Sequence, residues 1–188
     1  MRLEDEILII LFSGHMIDKE DRRVPRFPAR MEWKIKNAIK KNLIHESKAA
    51  KNKILGIAGG ACGSDILFQE SCIELDIESK LFIPPNRNEF IKNSIEFAGD
   101  EWVTRYENIS KLITVYSFPE SDIHRRGMNV WINNNLQMLN YALQMKDAVI
   151  KLLAVWDGRS GEGEGGTVHM IRMAKKYSIK TNIILLKN

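Results

Sequence analysis

Cysteine is scarce in this sequence. Cys62 and Cys72 are the only two, ten positions apart, outside any C-x-x-C spacing and without a neighbouring pair of histidines. That excludes a disulfide framework and gives no sign of a zinc site, leaving two reduced thiols. Proline is held to five residues and no low-complexity tract divides the chain, so the reading is one domain over residues 1–188, a length typical of a single α/β unit. Long hydrophobic runs are missing too. The apolar opening, Ile7 to Phe12, follows Glu4-Asp5-Glu6, which is too short for a membrane span and lacks the basic flank of a signal peptide. A cytoplasmic protein without membrane contact is expected. Aromatics make up only 8% of the residues, and no stripe of interleaved basic and aromatic side chains speaks for stacking nucleic-acid bases.

What is present is an ordinary globular composition, 44% hydrophobic and 28% charged, which excludes a disordered chain. The formal charge is +4, and its distribution says more than its size. Residues 1–50 carry 11 Lys/Arg against 8 Asp/Glu and residues 151–188 carry 7 against 3, whereas residues 51–100 reverse the balance at 5 against 8. The basic excess at both ends suits solvated lysines on helix faces, or an anionic small ligand.

Six apolar runs of strand length recur: Ile7 to Phe12, Ile54 to Ala58, Lys80 to Ile83, Leu112 to Tyr116, Ala148 to Val155 and Asn182 to Leu186. Most are continuously apolar, as in strands buried on both faces of a parallel sheet. Between them lie helical stripes: Met31, Ile35, Ile39 and Leu43; Met128, Ile132, Leu136, Leu139 and Leu143; and Val168, Ile171 and Ala174. Strands alternating with helices predict an α/β fold, a Rossmann-like, doubly wound, mainly parallel sheet with helices on both faces. The polar segments Asp18 to Pro28 and Pro119 to Gly127 read as surface loops.

Ligands of such sheets bind beyond the carboxyl ends of the strands, so the residues following each run matter most. After the first strand come Gly14 and His15, with Asp18 close behind. A glycine there lets backbone approach a ligand. After the second strand, Gly59, Gly60, Gly63, Ser64 and Asp65 open an apolar helix, with four glycines in residues 56–63. Such a helix start offers uncovered N–H groups to an anion. The segment is neither G-x-G-x-x-G nor the Walker pattern, because no lysine follows, which speaks against a dinucleotide oxidoreductase and a P-loop NTPase. Ser64 or Asp65 either caps the helix or, in the case of the carboxylate, accepts hydrogen bonds from ribose hydroxyls. The third loop runs from Trp156-Asp157-Gly158 to Gly165, Gly166 and Thr167, and makes a second anion-receiving helix start. Arg87 and the Arg125-Arg126 pair stand in candidate loops where arginines can clasp phosphate. Trp102, Trp131 and Trp156 either stack on a base or fill core, and the run Asn133-Asn134-Asn135, costly in a helix, implies a partner for at least one of them.

The segment Gly59-Gly60-Ala61-Cys62-Gly63-Ser64-Asp65, the glycine turn Gly14-His15-Met16-Ile17-Asp18 and the Gly165-Gly166-Thr167 helix start together resemble the SLOG superfamily of Rossmannoid domains, across roughly residues 7–186. Its relatives include cytokinin-activating phosphoribohydrolases and the DNA-processing protein DprA. The SLOG-like domains joined to cyclase or TPR modules are more similar. The resemblance implies recognition of a nucleotide or nucleotide derivative by a sensor in signalling or defence, acting on a partner protein or an assembly, possible homo-oligomers included. In some relatives it implies N-glycosidic hydrolysis. The hydrolytic members carry P-G-G-x-G-T-x-x-E at the last loop, and here Met170 stands where that glutamate would be. Without the carboxylate near the anomeric carbon, hydrolysis is disfavoured unless Glu162, Glu164 or His169 substitutes. The expected ligand site is therefore Gly14, His15, Gly59, Gly60, Gly63, Ser64, Asp65, Arg87, Gly165, Gly166 and Thr167, with no metal, no redox cofactor and no assigned catalytic residue. A hydrolase and a ligand-free structural adaptor are the alternatives.

Overall fold

The apolar runs assemble into one six-stranded sheet in a computed structural model that describes residues 7–49, 53–119, 129–159 and 164–187. The strands are β1 (Leu8–Gly14), β2 (Ile54–Ala58), β3 (Glu78–Ile83), β4 (Thr114–Ser117), β5 (Val149–Trp156) and β6 (Lys180–Leu185). Every pair is parallel and the order is β4-β3-β2-β1-β5-β6. The helices are α1 (Glu32–Ala49), α2 (Ser64–Glu74), α3 (Arg87–Ser94), α4 (Asp100–Leu112), α5 (Val130–Gln144) and α6 (Thr167–Lys176). The Rossmann-like, doubly wound architecture follows from this order, in which the chain winds outward from β1 to β4 and then returns to β5 on the other side of β1.

Continuous apolar runs are explained by burial on both sides. In β1, Leu8, Ile10 and Phe12 enter one core with Ile35, Ile39 and Leu43 of α1, Phe68 of α2 and Tyr106 of α4. Ile9 and Leu11 enter the opposite core with Met138 and Leu139 of α5 and Met170 of α6. Alternate side chains point to opposite faces, so a strand covered on both sides has no polar face to display. The α1 stripe is the one the sequence predicts, since Met31, Ile35, Ile39 and Leu43 are all buried.

Three features depart from the sequence reading. The α5 helix is rotated from its apolar stripe: Asn133, Asn134, Asn135, Met138, Leu139 and Ala142 face inward, while Leu143 is 41% exposed. The asparagines turn inward because the top of this helix meets strand-end carbonyls and polar loops rather than side chains. Met128, the first residue of the predicted stripe, lies outside the described residues. Two helices, α3 and α4, fill the segment between β3 and β4 for which no apolar stripe was read, with Phe90, Ile91, Trp102, Tyr106 and Ile109 buried. Finally, the loop after β1 is anchored rather than free. Ile17 and Phe27 are buried in the core, and Asp18 accepts a hydrogen bond from the Arg26 backbone at 2.8 Å. No helix among the described residues is long and apolar enough to cross a membrane.

Candidate functional site

Reversal of the strand order between β1 and β5 parts the loops that follow the strands, and a cleft opens above their carboxyl ends, as expected at such a switch point. Its volume is about 880 Å³, room for a ligand of nucleotide size. Gly14, His15, Gly59, Gly60, Asp65, Gly165, Gly166 and Thr167 all line it. Gly63, Ser64 and Arg87 are not among its lining residues.

The reasons for these placements are local. Ser64 donates both its backbone N–H (3.1 Å) and its hydroxyl (2.8 Å) to the His15 carbonyl. The start of α2 is thereby sealed against the loop after β1. Gly63, at φ +94°, is needed because a Cβ there would lie 2.5 Å from the Ile17 nitrogen. Gly14 gives way in the same manner to the Ser64 side chain, and a Cβ on Gly165 would lie 2.5 Å from that of Trp131. Most of the glycines that suggest an anion cradle are thus spent on close packing between loops. Gly166 differs: among the described residues nothing lies within 4 Å of where its Cβ would be. It is the N-cap of α6 and has no side chain to cap the helix, and Thr167 and Val168 of the first turn line the cleft. The first turn of a helix carries N–H groups without intrahelical partners. Arg87 turns the other way, bonded to Glu107 at 2.8 Å with its guanidinium over Tyr106. Arg125 and Arg126 lie outside the described residues.

A polar cluster joins the loops after β1 and β5. Arg26 donates from Nε to Asp157 Oδ2 at 2.8 Å and from Nη2 to Asp157 Oδ1 at 3.2 Å. His15 Nε2 stands 3.0 Å from both Asp157 Oδ1 and Arg26 Nη2. Burial would raise the Asp157 pKa, but Arg26, the Arg159 N–H and His15 outweigh it and hold the carboxyl well below the usual carboxylate range. For His15, burial and then the Arg26 charge outweigh the Asp157 contact, so its pKa falls below 6.5 and the ring is neutral near pH 7.

Asp65 sits deeper, at the start of α2. The place of a Cβ on Gly59 is 2.6 Å from Asp65 Oδ2, so Gly59 is what admits the carboxylate. Burial raises the Asp65 pKa to about 7, against the opposing pull of the Ala61 and Gly14 N–H groups. With no cation beside it among the described residues, the group holds its proton to near neutrality.

Sequence reasoning left out Arg26, named Asn134 only within the run Asn133-Asn134-Asn135, and committed neither Asn134 nor Asp157 to the site. The acid directly after a central strand was the signal for Asp157. The interior-facing position of Asn134 in α5 was hidden by the apolar stripe on another face, and Arg26 stands in an irregular loop without periodicity. Trp131 lines the cleft, its ring centroid 6.2 Å from that of Phe90, while Trp102 is buried beneath the Arg105 guanidinium. Among the described residues no three His, Cys, Asp or Glu side chains gather as a metal cage. Both cysteines are buried free thiols, and burial pushes Cys62 up to about 12.

Fold and cleft define a Rossmann-like α/β protein with a ligand-sized site at its switch point. No family model matches the chain, and no curated protein matches it.

Proposed function

We propose that the cleft binds a nucleotide or nucleotide-derived ligand, and that the protein works as a sensor or regulatory module of SLOG-like character. The observation carrying this reading is the open space, among the described residues, at the position of a Gly166 Cβ at the start of α6, within the cleft of about 880 Å³. A phosphate set there accepts hydrogen bonds from backbone N–H groups and gains from the helix dipole. The half-exposed Trp131, beside Phe90 on the same cleft, offers a ring face for a base. The test is a thermal-shift screen of nucleoside mono-, di- and triphosphates and of cyclic and linear dinucleotides, repeated on Gly166→Val. A ligand at 100 times its dissociation constant stabilises by about 2.7 kcal/mol. The variant should keep its fold, since a side chain at Gly166 meets only open space, and should lose the shift. Retention of the shift by folded Gly166→Val would remove α6 from the site.

A second reading, nucleotide N-glycosidic hydrolysis, is favoured by the oriented, neutral His15 and the near-neutral Asp65 on one cleft. Met170 weighs against it: the position of the relatives' glutamate is 1% exposed and packed in the core under α6. Release of free adenine from adenosine monophosphate separates the two readings.

A further inference from the structure

Two buried acceptors on the same cleft have no hydrogen-bond partner among the described residues: Asp65 Oδ1 and Asn134 Oδ1. Asn134 is 8% exposed, and its amide nitrogen donates to the Phe82 carbonyl at 3.2 Å. A carbonyl only accepts, so this bond fixes the amide and directs Oδ1 away from Phe82. The two side chains flank neighbouring strand ends. The place of a Cβ on Gly59 lies 2.6 Å from Asp65 Oδ2 and 3.9 Å from the Phe82 oxygen that Asn134 binds. An acceptor excluded from water and left unmet is costly, on the order of 1–3 kcal/mol, so the pair calls for donors from a bound molecule.

Resting on the nucleotide reading above, we infer that Asp65 and Asn134 form a subsite for the vicinal diol of a ribose, and so set the preference for ribo- over deoxyribonucleotides. A diol presents two O–H donors on adjacent carbons, one for each acceptor. A phosphate has no such donors and is repelled by a carboxylate, which leaves it to the α6 start, where the cleft carries uncovered N–H groups. Each hydroxyl lost removes a hydrogen bond to a buried acceptor, and for the charged one the loss is about tenfold in affinity or more.

The experiment is calorimetric titration, at pH 8, of AMP, GMP, CMP and UMP and of their 2′-deoxy counterparts. The proteins are the wild type, Asp65→Asn, which keeps the shape of the side chain, and Asn134→Ala as an independent variant, each checked for folding by circular dichroism. In the wild type the tightest ribonucleotide should bind at least about tenfold better than its deoxy form. The variant at the acceptor of the 2′-hydroxyl should bring the two within about threefold by weakening the ribonucleotide, and the variant at the acceptor of the 3′-hydroxyl should weaken both forms alike. Equal binding of ribo- and deoxynucleotides by the wild type overturns the diol subsite and leaves the nucleotide reading standing, with an amino group of the base as the remaining donor. Full discrimination retained by both variants also overturns it. Binding of none of the eight compounds overturns the diol subsite, and the nucleotide reading falls with it if the thermal-shift screen also shows no shift.

Discussion

A carboxyl with no cation beside it among the described residues is the most informative single residue in the cleft. Asp65 has an ordinary pKa of 3.8 and is raised to about 7 in the folded chain, burial being the main cause. The folded state therefore holds this proton more firmly than the unfolded state does. Its effect on stability is absent below about pH 4, grows unfavourable at up to about 1.4 kcal/mol per pH unit between about 4 and 7, and is constant above that. Asp65→Asn removes the ionisation, so the variant should match the wild type near pH 4 and exceed its Tm by several degrees at pH 8. Thermal unfolding of both proteins across that range checks the sign. A wild type more stable than the variant at pH 8 would mean that the carboxylate has a favourable partner after all.

Helices α1, α2 and α4 are tied at the level of elements by one guanidinium. Arg105 donates to Glu70 from Nε at 2.6 Å and from Nη2 at 2.8 Å, and from Nη1 to Glu32 at 2.7 Å, while stacking over Trp102 at 4.1 Å. Such a forked, stacked arrangement is specific to arginine. Burial alone would raise the Glu70 pKa, but Arg105 and Lys36 outweigh it and the pKa is lowered from 4.5. The resulting stabilisation is present above about pH 4.5 and is lost as pH falls through the lowered value. Arg105→Ala should destabilise by about 2 kcal/mol at pH 7, more than a surface pair would, because both partners are mostly covered. The deficit should shrink below pH 4, and denaturant unfolding at the two pH values measures it. Arg105→Lys should recover only part, lacking the fork.

The whole molecule places charge where it serves the fold more than the cleft. Among the cations lining the cleft, Arg26 is neutralised by Asp157, Arg22 lies 3.3 Å from Asp18, and Lys19 stands over the Phe97 ring. On the proposed nucleotide reading, anion affinity would be carried chiefly by backbone N–H groups at the α6 start. Loss of the phosphate from the tightest nucleotide should weaken binding by about a hundredfold, with a shallow dependence on salt because fixed dipoles, not mobile surface cations, supply the attraction. Arg87→Ala should leave that affinity unchanged, since Arg87 is engaged with Glu107 and Tyr106 away from the cleft. Calorimetry of nucleotide and nucleoside at two salt concentrations decides it, and equal affinity for the two would exclude an anion site.

Period and composition carried the fold in the sequence: buried strands read as unbroken apolar runs, α1 as a regular stripe, and the α/β alternation followed from parallel neighbours needing covered crossovers. The glycine-bearing strand ends were legible for the same reason, since they interrupt those runs, and eight of the eleven proposed residues line one cleft. Which glycines face open space was not legible, because what lies opposite Gly14, Gly63, Gly165 and Gly166 is set by distant segments. The α3 and α4 helices escaped because their buried residues are spread among charges, and the phase of α5 because asparagines took the inward face. The meeting of His15, Arg26 and Asp157, and the presence of Asp65 and Asn134 on one cleft, join segments up to 142 residues apart. Contacts of that range are set by packing of the folded chain, and local pattern contains no record of them.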